Sequence, residues 1–259
     1  MKALAARRHH RFAPAVLLLL ALLVTGGVYA ALAPSPASAD TASTADIETG
    51  KKLFQANCAT CHGANAEGSP GVPSLVGVGA AAVDFQVSSG RMPMQMSGPQ
   101  AISKPRQMDE EQTAALAAYV SSLGAGPAIP TDAQVDPADG DIANGMALFR
   151  TNCAMCHNAV GAGGALSEGK FAPALWETTP RNIYQAMLTG PQSMPVFNDA
   201  NVTPEEKQDI IAFLVDQREG SAGGNALGGL GPVSEGLWGW AVGMGVLIGA
   251  AVWIGAKSS

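Results

Sequence analysis

A chain of 259 residues with 31 Gly, 17 Pro, 14% charged and only 5% aromatic residues is poorly supplied with large side chains, so something other than a large aromatic core is expected to hold it together. Its formal net charge is −6, and no nucleic-acid partner is expected. The length allows one or two domains, and all four cysteines, Cys58, Cys61, Cys153 and Cys156, fall in two short motifs with none left over.

Residues 1–39 read first as an address. Lys2, Arg7, Arg8 and Arg11 precede an uncharged run at 13–33. At about 1.5 Å per residue such a run crosses a ~30 Å hydrocarbon layer as a helix, and its basic end stays in the cytoplasm. The A-x-A site at 37–40, "ASAD", ends a secretory signal equally well, so cleaved signal and retained anchor both stand. Either way the following two hundred or so residues are exported. At the other end, residues 237–256 are a second uncharged segment, with Trp238, Trp240 and Trp253 near its ends as interfacial anchors. It follows a glycine-rich linker at 223–236 and is expected to leave the tail, 257–259, in the cytoplasm.

Between these ends the chain repeats itself. "DIETGKKLFQANCATCH" (46–62) aligns without gaps on "DIANGMALFRTNCAMCH" (141–157), an offset of 95 residues. Further on, "VPSL" (72–75) answers "APAL" (172–175), "FQVSSG" (85–90) answers "YQAMLTG" (184–190), and Met92-Pro93 answers Met194-Pro195. Each copy closes with a helix-like stretch, 109–123 and 203–217. Two homologous domains follow, 40–126 and 141–222, joined by a Pro- and Asp-bearing linker at 127–140. Ile47, Gly50, Leu53 and Phe54 share one helix face, as do Leu116, Tyr119, Val120 and Leu123. The segments between are rich in Gly, Pro and Ser, with few alternating runs for strands. The expected class is mainly α, with a bound cofactor supplying the missing core.

The cysteine motifs indicate which cofactor. C-x-x-C-H is the attachment motif of c-type haem: two thiols add to the haem vinyl groups, and the adjacent histidine lies under the iron. A thioredoxin-like pair would need a βαβ setting and no histidine. A shared tetrathiolate zinc would leave both histidines unexplained. Two covalent haem c groups are therefore expected, on Cys58 and Cys61 and on Cys153 and Cys156, with His62 and His157 as axial ligands. These are the only histidines beyond the amino-terminal tip, so a second axial ligand must come from another residue type. The thioether of methionine is the common solution and raises the potential. Met194 lies 37 residues after His157, ahead of Met187 and Met155 as a candidate; Met92 lies 30 residues after His62, with Met94 in reserve. Pro73 and Pro173 hold corresponding places, and their carbonyls are plausible acceptors for the histidines' other N–H; otherwise they turn the chain.

The two halves resemble class I cytochrome c domains, with Gly50 and Phe54, Gly145 and Phe149, the C-x-x-C-H, the P-x-L and the M-P loop in family order. The whole architecture resembles the dihaem cytochrome c subunits of actinobacterial-type cytochrome bc complexes, the quinol:cytochrome c reductases. That resemblance implies an electron-transfer subunit in the cell membrane, its haem domains on the extracytoplasmic side. It implies partners: a cytochrome b subunit, the Rieske iron–sulfur subunit as donor, and a haem–copper oxidase as acceptor in one supercomplex. No separate catalytic residue is expected in this chain, since both irons look fully ligated. Two rivals stand beside it: an electron-acceptor subunit of a periplasmic dehydrogenase, and a dihaem peroxidase with one five-coordinate iron.

Overall fold

The computed structural model describes residues 12–32, 43–96, 98–219 and 232–256. The basic tip at 1–11, the A-x-A site, most of the second linker and the 257–259 tail lie outside the described residues.

The described chain is mainly helical. Helix α1 (Ala13–Leu32) is the apolar run near the amino end, its side chains from Val16 to Val24 largely exposed. Helix α2 (Thr44–Asn57) starts at a capping box: the Asp46 N–H donates to Ser43 Oγ while the Ser43 N–H donates to the Asp46 carboxylate, each at 3.2 Å. A single turn, α3 (Ala59–His62), follows, then α4 (Gly79–Ser88) and α5 (Glu110–Ser122), the last capped by Asp109 and Gln112 in the same reciprocal way. The linker carries a single turn, α6 (Asp132–Val135), and the second repeat runs α7 (Ile142–Asn152), the single turn α8 (Ala154–His157), α9 (Pro180–Thr189) and α10 (Pro204–Glu219). It also contains a two-residue antiparallel hairpin, β1 (Gly164–Ala165) against β2 (Phe171–Ala172). Helix α11 (Pro232–Ala256) contains Gly236–Ala256, among the described residues the one helix long and apolar enough to cross a membrane.

By compactness the chain forms two units. Unit 1 takes residues up to Ser88 together with Gln107–Ile129; unit 2 takes Ser89–Arg106 together with everything from Pro130 onward. The first is built on α2 crossing α5. Gly50 sits at the crossing because any Cβ there would run into the Ala115 carbonyl, and one turn later Phe54 meets Tyr119 at 5.3 Å between ring centroids, tilted by 52°. Unit 2 repeats the device with α7 on α10: Gly145 lies against the Asp209 carbonyl, and Phe149 meets Phe213 at 5.4 Å and 47°. The Asp209 carboxylate ties this crossing further, accepting from the Asp141 N–H and the Asn144 side-chain amide, both at 2.7 Å.

Unit 2 also buries a lysine. Lys207 is fully enclosed, donating to the Val202 carbonyl at 2.5 Å and to Asp199 Oδ1 at 2.7 Å, with its Nζ 5.8 Å from the Tyr184 ring centroid. Burial first, and then the charges of Asp199 and Glu205, push the Tyr184 hydroxyl up to about 12, so it stays protonated at neutral pH. The 89–106 segment docks within this unit through Gln100, whose amide donates to the Phe171 carbonyl and accepts from the Phe171 N–H, each at 2.9 Å.

Candidate haem-attachment sites

Each C-x-x-C-H motif folds as one tight helical turn. In unit 1 the Cys58 N–H ends α2 by donating to the Phe54 carbonyl at 2.8 Å, and the N–H groups of Cys61 and His62 return to the Cys58 carbonyl at 3.1 and 2.9 Å. In unit 2 the bonds Cys153 to Phe149, Cys156 to Cys153 and His157 to Cys153 have the same three lengths. The two-residue spacer sets both sulfurs on one turn, and the histidine follows directly. None of the four cysteines is in a disulfide.

The histidines are oriented alike. His62 Nδ1 lies 3.0 Å from the Pro73 carbonyl oxygen, and His157 Nδ1 lies 3.0 Å from that of Pro173. A carbonyl can only accept, so Nδ1 carries the proton and donates, leaving the Nε2 lone pair free for a metal. The prolines thus do what their sequence positions suggested, and the support is a backbone carbonyl that no side-chain substitution removes. Both imidazoles are buried. Burial holds the His157 pKa below its usual value, with the hydrogen bond to Pro173 working against that shift, and the neutral ring is the form that ligates iron.

Burial, and secondarily the charge of the neighbouring cysteine, pushes the thiols of Cys58 and Cys153 up to about 11. They are therefore held as neutral thiols at ordinary pH. In a haem-free chain at pH 8, iodoacetamide is expected to label Cys58 and Cys153 about tenfold or more slowly than a cysteine of ordinary pKa, since the thiolate is the reactive form. In the haem-loaded chain no cysteine should label, because each sulfur is then a thioether; mass spectrometry of tryptic fragments reads both results.

The methionines sort by burial. Met187 is 3% exposed and belongs to the hydrophobic core with Phe149, Ile183, Ile211 and Phe213; Met155 is 93% exposed. Met194 is half-buried against that core, on a turn where its N–H donates to the Pro191 carbonyl at 3.0 Å. In the 90–98 loop Met92 is half-buried, Met94 is 40% exposed and Met96 is 80% exposed. The Met92–Pro93 peptide bond is cis. The ammonium of Lys104 also enters this loop; sequence reasoning passed over the buried Lys207.

Comparison with known proteins divides the chain at the same repeat. Residues 47–124 match the cytochrome c family model, and residues 140–214 match that of the cbb3-type cytochrome c oxidase subunit III. Over 95% of its length the chain is 47% identical to the cytochrome bc1 complex cytochrome c subunit of Corynebacterium efficiens, covering 89% of that protein. It is 47% identical to the subunit of the same name from Mycobacterium tuberculosis, over 97% of this chain and 93% of the other. The chain belongs to the family of cytochrome bc1 complex cytochrome c subunits. A cytochrome c6 of Limnospira maxima is 31% identical over 87 residues, 31% of this chain and 97% of its own length, so one such small cytochrome is about the size of a single repeat. This bc1-family cytochrome c carries two covalently attached haem c groups. Its side chains fit them: in each repeat two thiols outside any disulfide stand on one turn beside a buried imidazole whose Nε2 is unencumbered.

Proposed function

We propose that this chain is the membrane-anchored electron relay of a quinol-oxidising cytochrome bc complex, seated beside a cytochrome b subunit, accepting electrons from a Rieske iron–sulfur subunit and passing them to a haem–copper oxidase. The haems, when bound, supply reversible one-electron chemistry. The chain's part is to hold and tune them. Cys58 and Cys61, and Cys153 and Cys156, would anchor each group as thioethers; His62 and His157, fixed in tautomer by Pro73 and Pro173, would each give an imidazole nitrogen to the iron. Met92 and Met194 would supply the second ligand to each iron, and their soft sulfur would favour the reduced metal and raise the potential. An iron held by both an imidazole and a thioether would have no open position for a substrate, which suits a carrier and not a peroxidase. Helix α11 holds the protein at the membrane, with the haem units on the extracytoplasmic face.

The observation that carries this reading is the duplicated imidazole-to-proline geometry, 3.0 Å in both units, in a chain that ends in a helix of membrane-spanning length. Gentle detergent purification of the tagged full-length chain is expected to bring cytochrome b, Rieske and oxidase subunits with it, and the purified assembly should reduce this chain's haems on addition of quinol. A soluble dehydrogenase as the companion, with no reduction by quinol, would sink the assignment.

A further inference from the structure

We propose that Lys104 is a positioning residue for Met92: its ammonium group holds the loop that presents the thioether, and so keeps the first haem's sixth coordination position closed. The proposal rests on the reading of Met92 as that ligand.

Lys104 Nζ donates to the carbonyl oxygens of Pro93 at 2.6 Å, Gly90 at 2.9 Å and Arg91 at 3.3 Å. An ammonium has three N–H donors and no acceptor, so its whole donor set is used on three carbonyls that flank Met92 on both sides. Bonds from a charged donor are about twice as strong as neutral ones. The residue before it adds a fourth tie, Ser103 Oγ donating to the Ser89 carbonyl at 2.7 Å. Gly90, at φ +70°, lies directly against the Lys104 carbonyl, where any Cβ would collide with it. Residues 103–104 therefore lie back along 89–93, and the methionine arm is pinned from both backbone and side chain.

The second repeat explains why this is needed. There the turn closes on itself by backbone bonds, Met194 N–H to the Pro191 carbonyl at 3.0 Å and Phe197 N–H to the Met187 carbonyl at 2.8 Å, and the capping residue Thr203 starts α10 soon after. In the first repeat the chain wanders from Ser89 to the α5 cap at Asp109 before regaining a helix. A longer loop is more costly to close and has more ways to swing its methionine away. Lys104 removes that freedom at the point where it matters.

The test uses the full-length, haem-loaded protein with Lys104→Met, Lys104→Arg and, as control, Lys170→Met, whose ammonium pairs with Glu168 at 3.1 Å. The readouts are the rate at which imidazole displaces methionine from each ferric haem and the methionine-to-iron charge-transfer band, the first haem being identified as the one whose band Met92→Leu removes. Lys104→Met is expected to speed displacement at the first haem about tenfold or more, leaving the second haem and the control variant unchanged, while Lys104→Arg retains most of the protection because it still donates to carbonyls. Should Lys104→Met not accumulate, Lys104→Gln, which keeps two donors without the charge, is expected to give a smaller acceleration confined to the same haem. Unchanged displacement, or equal acceleration at both haems, overturns the positioning role. If Met92→Leu leaves both bands intact, the ligand assignment fails and this proposal with it; if Met92→Leu removes one band and Lys104→Met changes nothing, only the positioning role fails.

Discussion

Met92→Leu is expected to leave the first haem without its sulfur ligand: one of two methionine-to-iron charge-transfer bands disappears and that iron turns high-spin. Its midpoint potential should fall by roughly 0.1–0.3 V, a part of the ~0.8 V range over which axial ligands set haem potentials. Met94→Leu is expected to change neither spectrum nor potential. The argument is geometric. A ligand must turn its sulfur inward, and of the three methionines in the loop Met92 is half-buried whereas Met94 and Met96 are 40% and 80% exposed. The second repeat allows a matched pair. Met194→Leu should remove the other band, while Met187→Leu, a volume-conserving change at a core position 3% exposed, should leave the spectrum intact and cost less than about 1.5 kcal/mol of stability. A retained band in Met92→Leu together with a lost one in Met94→Leu would transfer the role to Met94.

How far such assignments can be read without coordinates depends on whether the chemistry needs particular residue types. Attachment of haem needs two thiols and an imidazole in fixed order, so Cys58, Cys61 and His62 and their copies are legible at once. The repeat makes Pro73 and Pro173 legible too, since a carbonyl under each imidazole requires the same turn twice, and the structure puts both at 3.0 Å. Lys207 was not legible, and neither were the contacts that Lys104 makes. A lysine reads as a solvated charge; Lys104 donates to backbone carbonyls and Lys207 to one carbonyl and the Asp199 carboxylate, and only folding reveals which acceptors converge. The same holds for the 89–106 segment, tied to Phe171 by the Gln100 side chain across 71 residues of sequence, with no motif to announce it. The short β1–β2 hairpin likewise has no alternating apolar pattern, being two residues long on each side.

Gly145→Ala is expected to destabilise unit 2 by about 3 kcal/mol, seen as a lowered thermal unfolding midpoint of the haem-loaded protein, and Gly50→Ala to do the same to unit 1. In an open helix the substitution would stabilise by up to ~1 kcal/mol, because alanine is the better helix former. Here the added methyl group would occupy the space of the Asp209 or Ala115 carbonyl. A main-chain atom inside a packed helix cannot swing aside as a side-chain tip can, so α7 and α10, or α2 and α5, must move apart. That shift also loosens the Phe149–Phe213 or Phe54–Tyr119 contact one turn further on. With few large side chains elsewhere, little remains to compensate. A midpoint unchanged by Gly145→Ala would mean that the two helices tolerate a wider crossing than the one described.

The hydrogen bonds around His62 also set an order of events in time. Its N–H reaches Cys58, its carbonyl accepts from Gly68, its ring reaches Pro73, and Ala66 and Leu75 close the turn beneath it. All of these partners precede Met92 in the chain. A chain made from its amino end thus has both thiols and the groups that orient the imidazole in hand before Met92, the residue proposed as second ligand, is added. The second repeat, 95 residues later, does the same with His157, Gly163 and Pro173 ahead of Met194. With Met92 and Met194 as the proposed second ligands, chain order alone would let covalent capture come first and axial closure second in each repeat.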